Sequence, residues 1–96
     1  MTKEEAIEAI REVRHPAIDH TLLDLGIIKN VSTDGDTVYI TFAFPFPNIP
    51  IVDTLIRRVS GPLEALGARA VFDMVLMTEE EKARFLRMEQ EAWTGM

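Results

Sequence analysis

The chain contains no cysteine, and that absence removes more chemistry than any residue present supplies. Disulfides, thiolate nucleophiles, and all-cysteine zinc or iron–sulfur ligation within one chain are excluded. Basic residues are also short. Ten Lys and Arg stand against sixteen Asp and Glu, a net charge of −6 with a pI near 4.8. Neutralising phosphates needs a basic face, so nonspecific nucleic-acid binding is not expected and a protein partner fits better. No apolar run approaches the roughly eighteen residues of a membrane span, and the opening Met1-Thr2-Lys3-Glu4-Glu5 has no signal-peptide pattern. The expectation is a cytoplasmic protein with no membrane contact. GxSxG, Walker and zincin patterns are missing too, which leaves an enzymatic role without a motif.

What remains is ordinary globular composition, 47% hydrophobic and 27% charged, so a folded single domain over residues 1–96 is expected and disorder is not. A chain this short buries only roughly 60–65% of the surface its unfolded form exposes. Its core is thin, and an oligomeric contact would help it.

The segment around which the sequence is organised is Phe42-Ala43-Phe44-Pro45-Phe46-Pro47-Asn48-Ile49-Pro50. Its three prolines cannot serve a sheet ladder, so the preceding strand must end near Phe44. Pro50 suits the first turn of a helix, where a missing N–H costs nothing. Strand-to-helix junctions present free backbone N–H groups and a positive dipole end, and are common functional sites.

Taken in order, Thr2 and Glu5 make a capping box that opens a helix at Lys3. Ala6, Ile7, Ile10 and Val13 give it one apolar face, and Pro16 should stop it. Between Pro16 and Gly26 one helical turn around Thr21 to Asp24 is expected. Ile27, Ile28 and Val31 begin a strand, and Asp34-Gly35 signals a tight hairpin into Thr37 to Phe44. In that return strand Val38, Ile40, Phe42 and Phe44 point one way, with Tyr39, Thr41 and Ala43 on the other face. Val52, Leu55, Ile56, Val59, Leu63 and Leu66 then mark a helix that Gly61-Pro62 should kink or break and Gly67 should close. A third strand, Arg69 to Met77, is apolar on both faces, so a central or covered position is expected for it. Thr78 and Glu81 form a second capping box for a helix to about Trp93, with Phe85, Leu86, Met88, Ala92 and Trp93 on one face and Gly95-Met96 frayed. The order predicts a two-layer α+β domain, α-β-β-α-β-α, with a three-stranded mixed sheet, a core over about 3–77 and a C-terminal helix over about 79–93.

The x-Pro turn at Pro16, the strand entry Leu25-Gly26-Ile27-Ile28, the hairpin and the proline-rich helix entry together resemble one family. It is the iron–sulfur cluster assembly domain of SufT-like and PaaD-like proteins and of the N-terminal segment of Mrp-type ATPases, the MIP18-like domain once called a domain of unknown function. The resemblance covers roughly Glu4 to Met77. It implies an α+β fold and a role in iron–sulfur cluster assembly through protein partners, among them assembly components or an ATPase. The chain departs from the family pattern in two places. His15-Pro16-Ala17 stands where the family usually reads Asp-Pro-Glu, and Ile49 stands where its turn usually carries a cysteine. Isoleucine neither ligates iron nor attacks anything. The resemblance therefore implies an accessory or adaptor that docks on a client, with no cofactor of its own, and whose partner-binding residues are Pro45, Phe46, Pro47, Asn48, Ile49 and Pro50.

Two other readings compete. His15, Asp19, His20 and Asp24 lie within ten residues and include metal-ligating types, which would suit a metal-binding or enzymatic protein. His20 and Asp24 share a helical face only if the turn around Thr21 to Asp24 is helical, and no further ligand completes a set there, so no metal is expected. A degenerate paralogue pairing with a cysteine-bearing homologue is the third reading. Phe42 and Phe44 read as core, whereas Phe46, between prolines beyond the strand, is as well placed for a partner as for a core. Phe46, Ile49 and Trp93 would also serve a homodimer contact. Arg57 and Arg58 read as solvated surface, with the alternative that together with Arg69 they could grip an acidic partner.

Overall fold

The computed structural model describes residues 1–94. Seven elements follow in order: α1 (Lys3–Ile10), α2 (Leu22–Leu25), β1 (Ile28–Asp34), β2 (Thr37–Phe44), α3 (Val52–Ala65), β3 (Arg69–Leu76) and α4 (Glu79–Ala92). The sheet order is β1-β2-β3, with β1 antiparallel and β3 parallel to the central β2. This is the expected α+β fold with a mixed three-stranded sheet.

β2 is central because its alternation works for both neighbours. Val38, Ile40, Phe42 and Phe44 are all buried against the helical layer. α3 answers them with Leu55, Val59 and Leu63, each fully buried and each contributing about 1.5–3 kcal/mol by leaving water. Tyr39 turns to solvent as expected, but Ala43 on that same face is fully buried. The buried residues are all apolar, with no polar or charged side chain among the described residues.

The hairpin loop is Gly35-Asp36, with Asp34 paired to Thr37 and a positive φ at Gly35 alone, 59°. Glycine at the first central position is the II′ arrangement, whose twist matches that of the strands. α3 ends in a Schellman motif: Gly67, at φ 82°, donates to the Glu64 carbonyl at 2.9 Å, and Ala68 donates to the Leu63 carbonyl at 3.0 Å.

Four expectations are corrected. α1 stops at Ile10, well before Pro16, because residues 13–15 leave the helix to pair with 20–22: Leu22 donates to the Val13 carbonyl at 2.9 Å and His15 to the His20 carbonyl at 3.1 Å. Of the kink or break expected at Gly61-Pro62, the break does not occur: the helix continues through Pro62. Gly61 explains this, because a residue before proline is driven from the α region partly by its Cβ and glycine has none. Pro50 is not the first helical residue, since α3 starts at Val52 with Ile51 as its N-cap and no side-chain cap. β3 is neither central nor covered: it is an edge strand on which Met74, Val75 and Leu76 are exposed.

α4 carries both bonds of its capping box, Glu81 donating to Thr78 Oγ1 at 3.2 Å and Thr78 donating to Glu81 Oε1 at 2.8 Å. It is tied to the body at each end. Lys29, at a bulge in β1, meets Glu81 at 3.3 Å, while Asp19 donates to the Ala92 carbonyl and Thr94 to the Ala17 carbonyl, both at 2.9 Å. Trp93, expected on the apolar face of α4, is the C-cap and 55% exposed. The fraying expected at Gly95-Met96 lies outside the described residues.

Candidate functional site

β2 delivers the chain to the proline segment with Phe44 still in the core. Beyond it Phe46, Pro47, Asn48 and Pro50 are exposed, while Pro45 and Ile49 are half-buried. Asn48 has φ 60°, and it follows Pro47, the pairing that a type II turn favours because proline presets φ at the first central position and asparagine tolerates the left-handed region at the second. Local chemistry favours this bend, and Ile49 just beyond it packs against the core.

Phe46 does meet a partner, within its own chain. Lys82 Nζ of α4 sits 4.6 Å from the ring centroid, a cation–π contact worth about 0.5–1 kcal/mol at an exposed site. The ring is held as a partition between two recesses. One, of about 320 Å³, lies on the β3 side, between Pro47, Asn48 and Val52 and the exposed Met74 to Leu76. The other, of about 230 Å³, lies on the α4 side. Its floor is Ile27, Phe44 and Leu55, and its walls are Phe85, Trp93 and the Pro45–Ile51 segment, with His15, Ala17 and Glu89 on its lining.

That second recess brings together residues far apart in sequence. His15, Ala17 and Ile49 all line it, and these are the positions where the sequence departs from the pattern Asp-Pro-Glu and from the turn cysteine. The pocket that they line is nearly apolar. Its polar side chains are His15 and Glu89. His15 is half-buried, its Nδ1 accepts from the Ala17 N–H at 2.9 Å, and burial, with Arg58 nearby as a smaller cause, pushes its pKa below the usual histidine value. The ring is therefore mainly neutral at pH 7, with its proton on Nε2.

Iron–sulfur ligation in a site of this kind rests on thiolates or, less often, imidazoles arranged about the metal. One neutral histidine, one glutamate and a ring of aromatic and aliphatic side chains do not fit such a group. The His/Asp cluster does not supply a replacement. Asp19 pairs with Arg14, His15 already accepts a backbone bond through Nδ1, and among the described residues no three His, Cys, Asp or Glu side chains gather to hold a metal ion. No helix among them is long and apolar enough to cross a membrane.

Of the motif positions, Leu25, Ile27 and Ile28 are buried and Gly26 is the left-handed C-cap of α2 at φ 79°. Of these four, Ile27 lines the recess. Pro16 breaks the chain so that Ala17 and Ile18 turn inward. The sequence offers Trp93 only as a self-association contact, Phe85 only as part of the apolar face of α4, and Glu89 not at all; nothing local says that this helix closes the mouth of a turn over thirty residues upstream.

The architecture and the turn define a class: a small α+β domain with an apolar recess where its central strand hands over to a helix. The match to known proteins is specific. Over residues 3–76 the chain fits the family of iron–sulfur cluster assembly proteins, and it belongs to that family. It is 33% identical over 72 residues to an Fe-S protein maturation auxiliary factor of Porphyromonas gingivalis, a match covering 73% of this chain and 69% of that protein. The crystal structure of a domain of unknown function, DUF59, from Bacillus anthracis has the same fold, with a TM-score of 0.71 at 14% identity over 93% of this chain and 91% of that one. The family match stops at residue 76, so α4, which walls the recess, lies beyond it.

Proposed function

We propose that this chain takes part in the maturation of iron–sulfur proteins as a non-catalytic docking protein. It grips a client or an assembly protein with the proline turn, Pro45 to Pro50, and the recess behind it. Family membership and the name of the P. gingivalis relative support the process. The observation that carries the docking role is the apolar character of the recess at His15, Ala17 and Ile49. A pocket lined this way can bury an apolar side chain from a partner, and a ring such as Phe46 at its rim is the kind of residue that dominates contact energy. The cluster itself is then cargo of the partner, never ligated by this chain alone.

The test is complementation of a strain lacking the gene, read as the activity of an iron–sulfur-dependent enzyme. Ile49→Asp, which puts a charge in the recess, should fail to restore that activity, and Phe46→Ser should restore it only in part. Tyr39→Ser, on the opposite exposed face, should restore it fully. In parallel, anaerobic iron and sulfide reconstitution of the purified chain should leave it without a cluster. Full rescue by Ile49→Asp, or a stoichiometric cluster on the isolated chain, would overturn the reading.

A further inference from the structure

The two edges of the sheet are treated differently. β1 is blunted by a bulge at Lys29, where the register shifts between Ile28 and Asn30, and by the ion pair of that lysine with Glu81; both are ways in which proteins block strand addition. β3 has neither bulge nor proline, pairs with β2 without a break from Arg69 to Leu76, and has no strand on its other side among the described residues. We propose that β3 pairs with β3 of a second copy of this chain, antiparallel about a two-fold axis at Val71.

The register follows from which backbone groups are free. Arg69 donates to the Asp36 carbonyl and Met77 to the Phe44 carbonyl, both at 2.8 Å. In a parallel strand alternate residues turn N–H and C=O to the same neighbour. The odd-numbered residues of β3 therefore face β2, and Ala70, Phe72, Met74 and Leu76 offer their backbone groups outward. With Val71 on the axis, Ala70 and the second copy's Phe72 exchange hydrogen bonds, and so do Phe72 and the second copy's Ala70. Arg69 then faces Asp73 of the second copy in the closer, non-hydrogen-bonded kind of pair, twice by symmetry. Both side chains are exposed in the single chain. Moving the axis to Asp73 would oppose two carboxylates. Moving it to Phe72 would stack two large rings at a hydrogen-bonded position and strand both charges opposite valines.

The same register disposes of exposed apolar surface. Past the paired residues, the end of β3 runs alongside the second copy's α3–β3 turn. This carries Leu76, 58% exposed, towards Leu66, 60% exposed, at both ends of the interface. Neither Arg69 nor Asp73 lines the two recesses at the proline turn, so this contact and the docking site can fail independently.

Sedimentation equilibrium over a micromolar to millimolar series tests the pairing. The wild-type chain should dimerise; Arg69→Asp and Asp73→Arg should each weaken the dimer about tenfold or more, since attraction becomes repulsion at two symmetric places; and the double variant R69D/D73R should regain it, because the swapped charges still face each other. Hydrogen exchange supplies the second measurement. With rising concentration the amides of Ala70 and Phe72 should gain protection, while those of Val71 and Asp73, already bonded to β2, should not change. A chain that stays monomeric throughout, a dimer indifferent to the single swaps, or a double variant that is not restored would overturn the proposal. Unchanged thermal midpoints at concentrations where the wild-type chain is monomeric are expected from the exposure of both side chains and exclude unfolding as the cause.

Discussion

Phe85 is the one buried residue of α4, and replacing it with alanine should separate the stability of that helix from the stability of the sheet. A buried Phe→Ala change costs about 3–5 kcal/mol, against roughly 5–15 kcal/mol for the whole of a domain this size. The rest of its hold is weaker: Leu86, Met88 and Ala92 are only partly buried against the core, the Lys82–Phe46 contact and the partly exposed Lys29–Glu81 pair are each worth about 1 kcal/mol or less, and the backbone bonds of Ala92 and Thr94 anchor only its last turn. The helix should therefore detach before the sheet opens. In F85A, amides of α4 should lose protection roughly a hundred- to several-thousandfold, the loss that corresponds to the expected cost, while Ile40 and Phe42 in β2 keep most of theirs. The lone tryptophan, Trp93, makes the event visible, since its emission should shift to the red at a denaturant concentration where the far-ultraviolet signal of the sheet is still native. If the amides of β2 lose protection by the same factor as those of α4, and both signals move together, α4 is an inseparable part of the core and this reasoning fails.

Further outcomes concern the turns and the titrating groups. Gly35→Val should cost about 1–2 kcal/mol, because φ 59° is strained for a branched residue although nothing stands within 4 Å of an added Cβ; an unchanged denaturation midpoint would contradict this. Ile49→Cys should label readily with a thiol reagent but titrate near the ordinary thiol value of about 8.5, because α3 begins three residues later, at Val52, and its dipole is out of reach; a strongly acidic thiol would refute that. His15 has a folded pKa below its usual 6.5, from burial first and Arg58 second, so the unfolded chain takes up the proton more readily; stability should be whole above about that pH and fall as pH drops towards the folded value. His15→Gln should flatten that part of a denaturation-midpoint profile. Glu5 and Glu81 are lowered from 4.5, chiefly by the backbone bonds from Thr2 and Thr78, so their contribution should be lost only in more acid solution, as pH falls through their folded values.

How much could be read in advance depended on whether the cause was local. Both capping boxes, the hairpin at Gly35 and the close of α3 at Gly67 rest on interactions within five residues, and each stands where its sequence signal put it. The errors arose where a distant segment competed. α1 lost its last turn to residues 20–22, which no helical periodicity could announce. β3 read as covered because its residues are apolar on both faces, yet strand order is a property of the whole sheet, and its last residues lie bare. Ala43 was assigned to the solvent side by alternation and is buried, since alternation gives a direction and not what lies there. The recess followed the same rule: Phe46 and Ile49 were legible as a pair on one turn, whereas the contributions of Ala17, Phe85 and Trp93 come from elements joined to it only by the fold.

The crossover between β2 and β3 governs the order in which the chain can assemble. The hairpin closes a loop of two residues, while Thr37 and Arg69, thirty-two positions apart, must find each other across α3. Loop-closure entropy rises by about 0.6 kcal/mol for each doubling of length, so the parallel pairing begins at a disadvantage of about 2.4 kcal/mol before any contact rewards it. Residues of β3 should show φ-values near zero and those of the hairpin clearly higher; the reverse would point to a nucleus in α3 and β3. Until α3 has formed and carried Arg69 back to Asp36, one side of β2 is a bare ladder of donors and acceptors. The prolines at 45, 47 and 50 keep that ladder short at its far end during the interval in which a newly made chain is most exposed to the wrong neighbour.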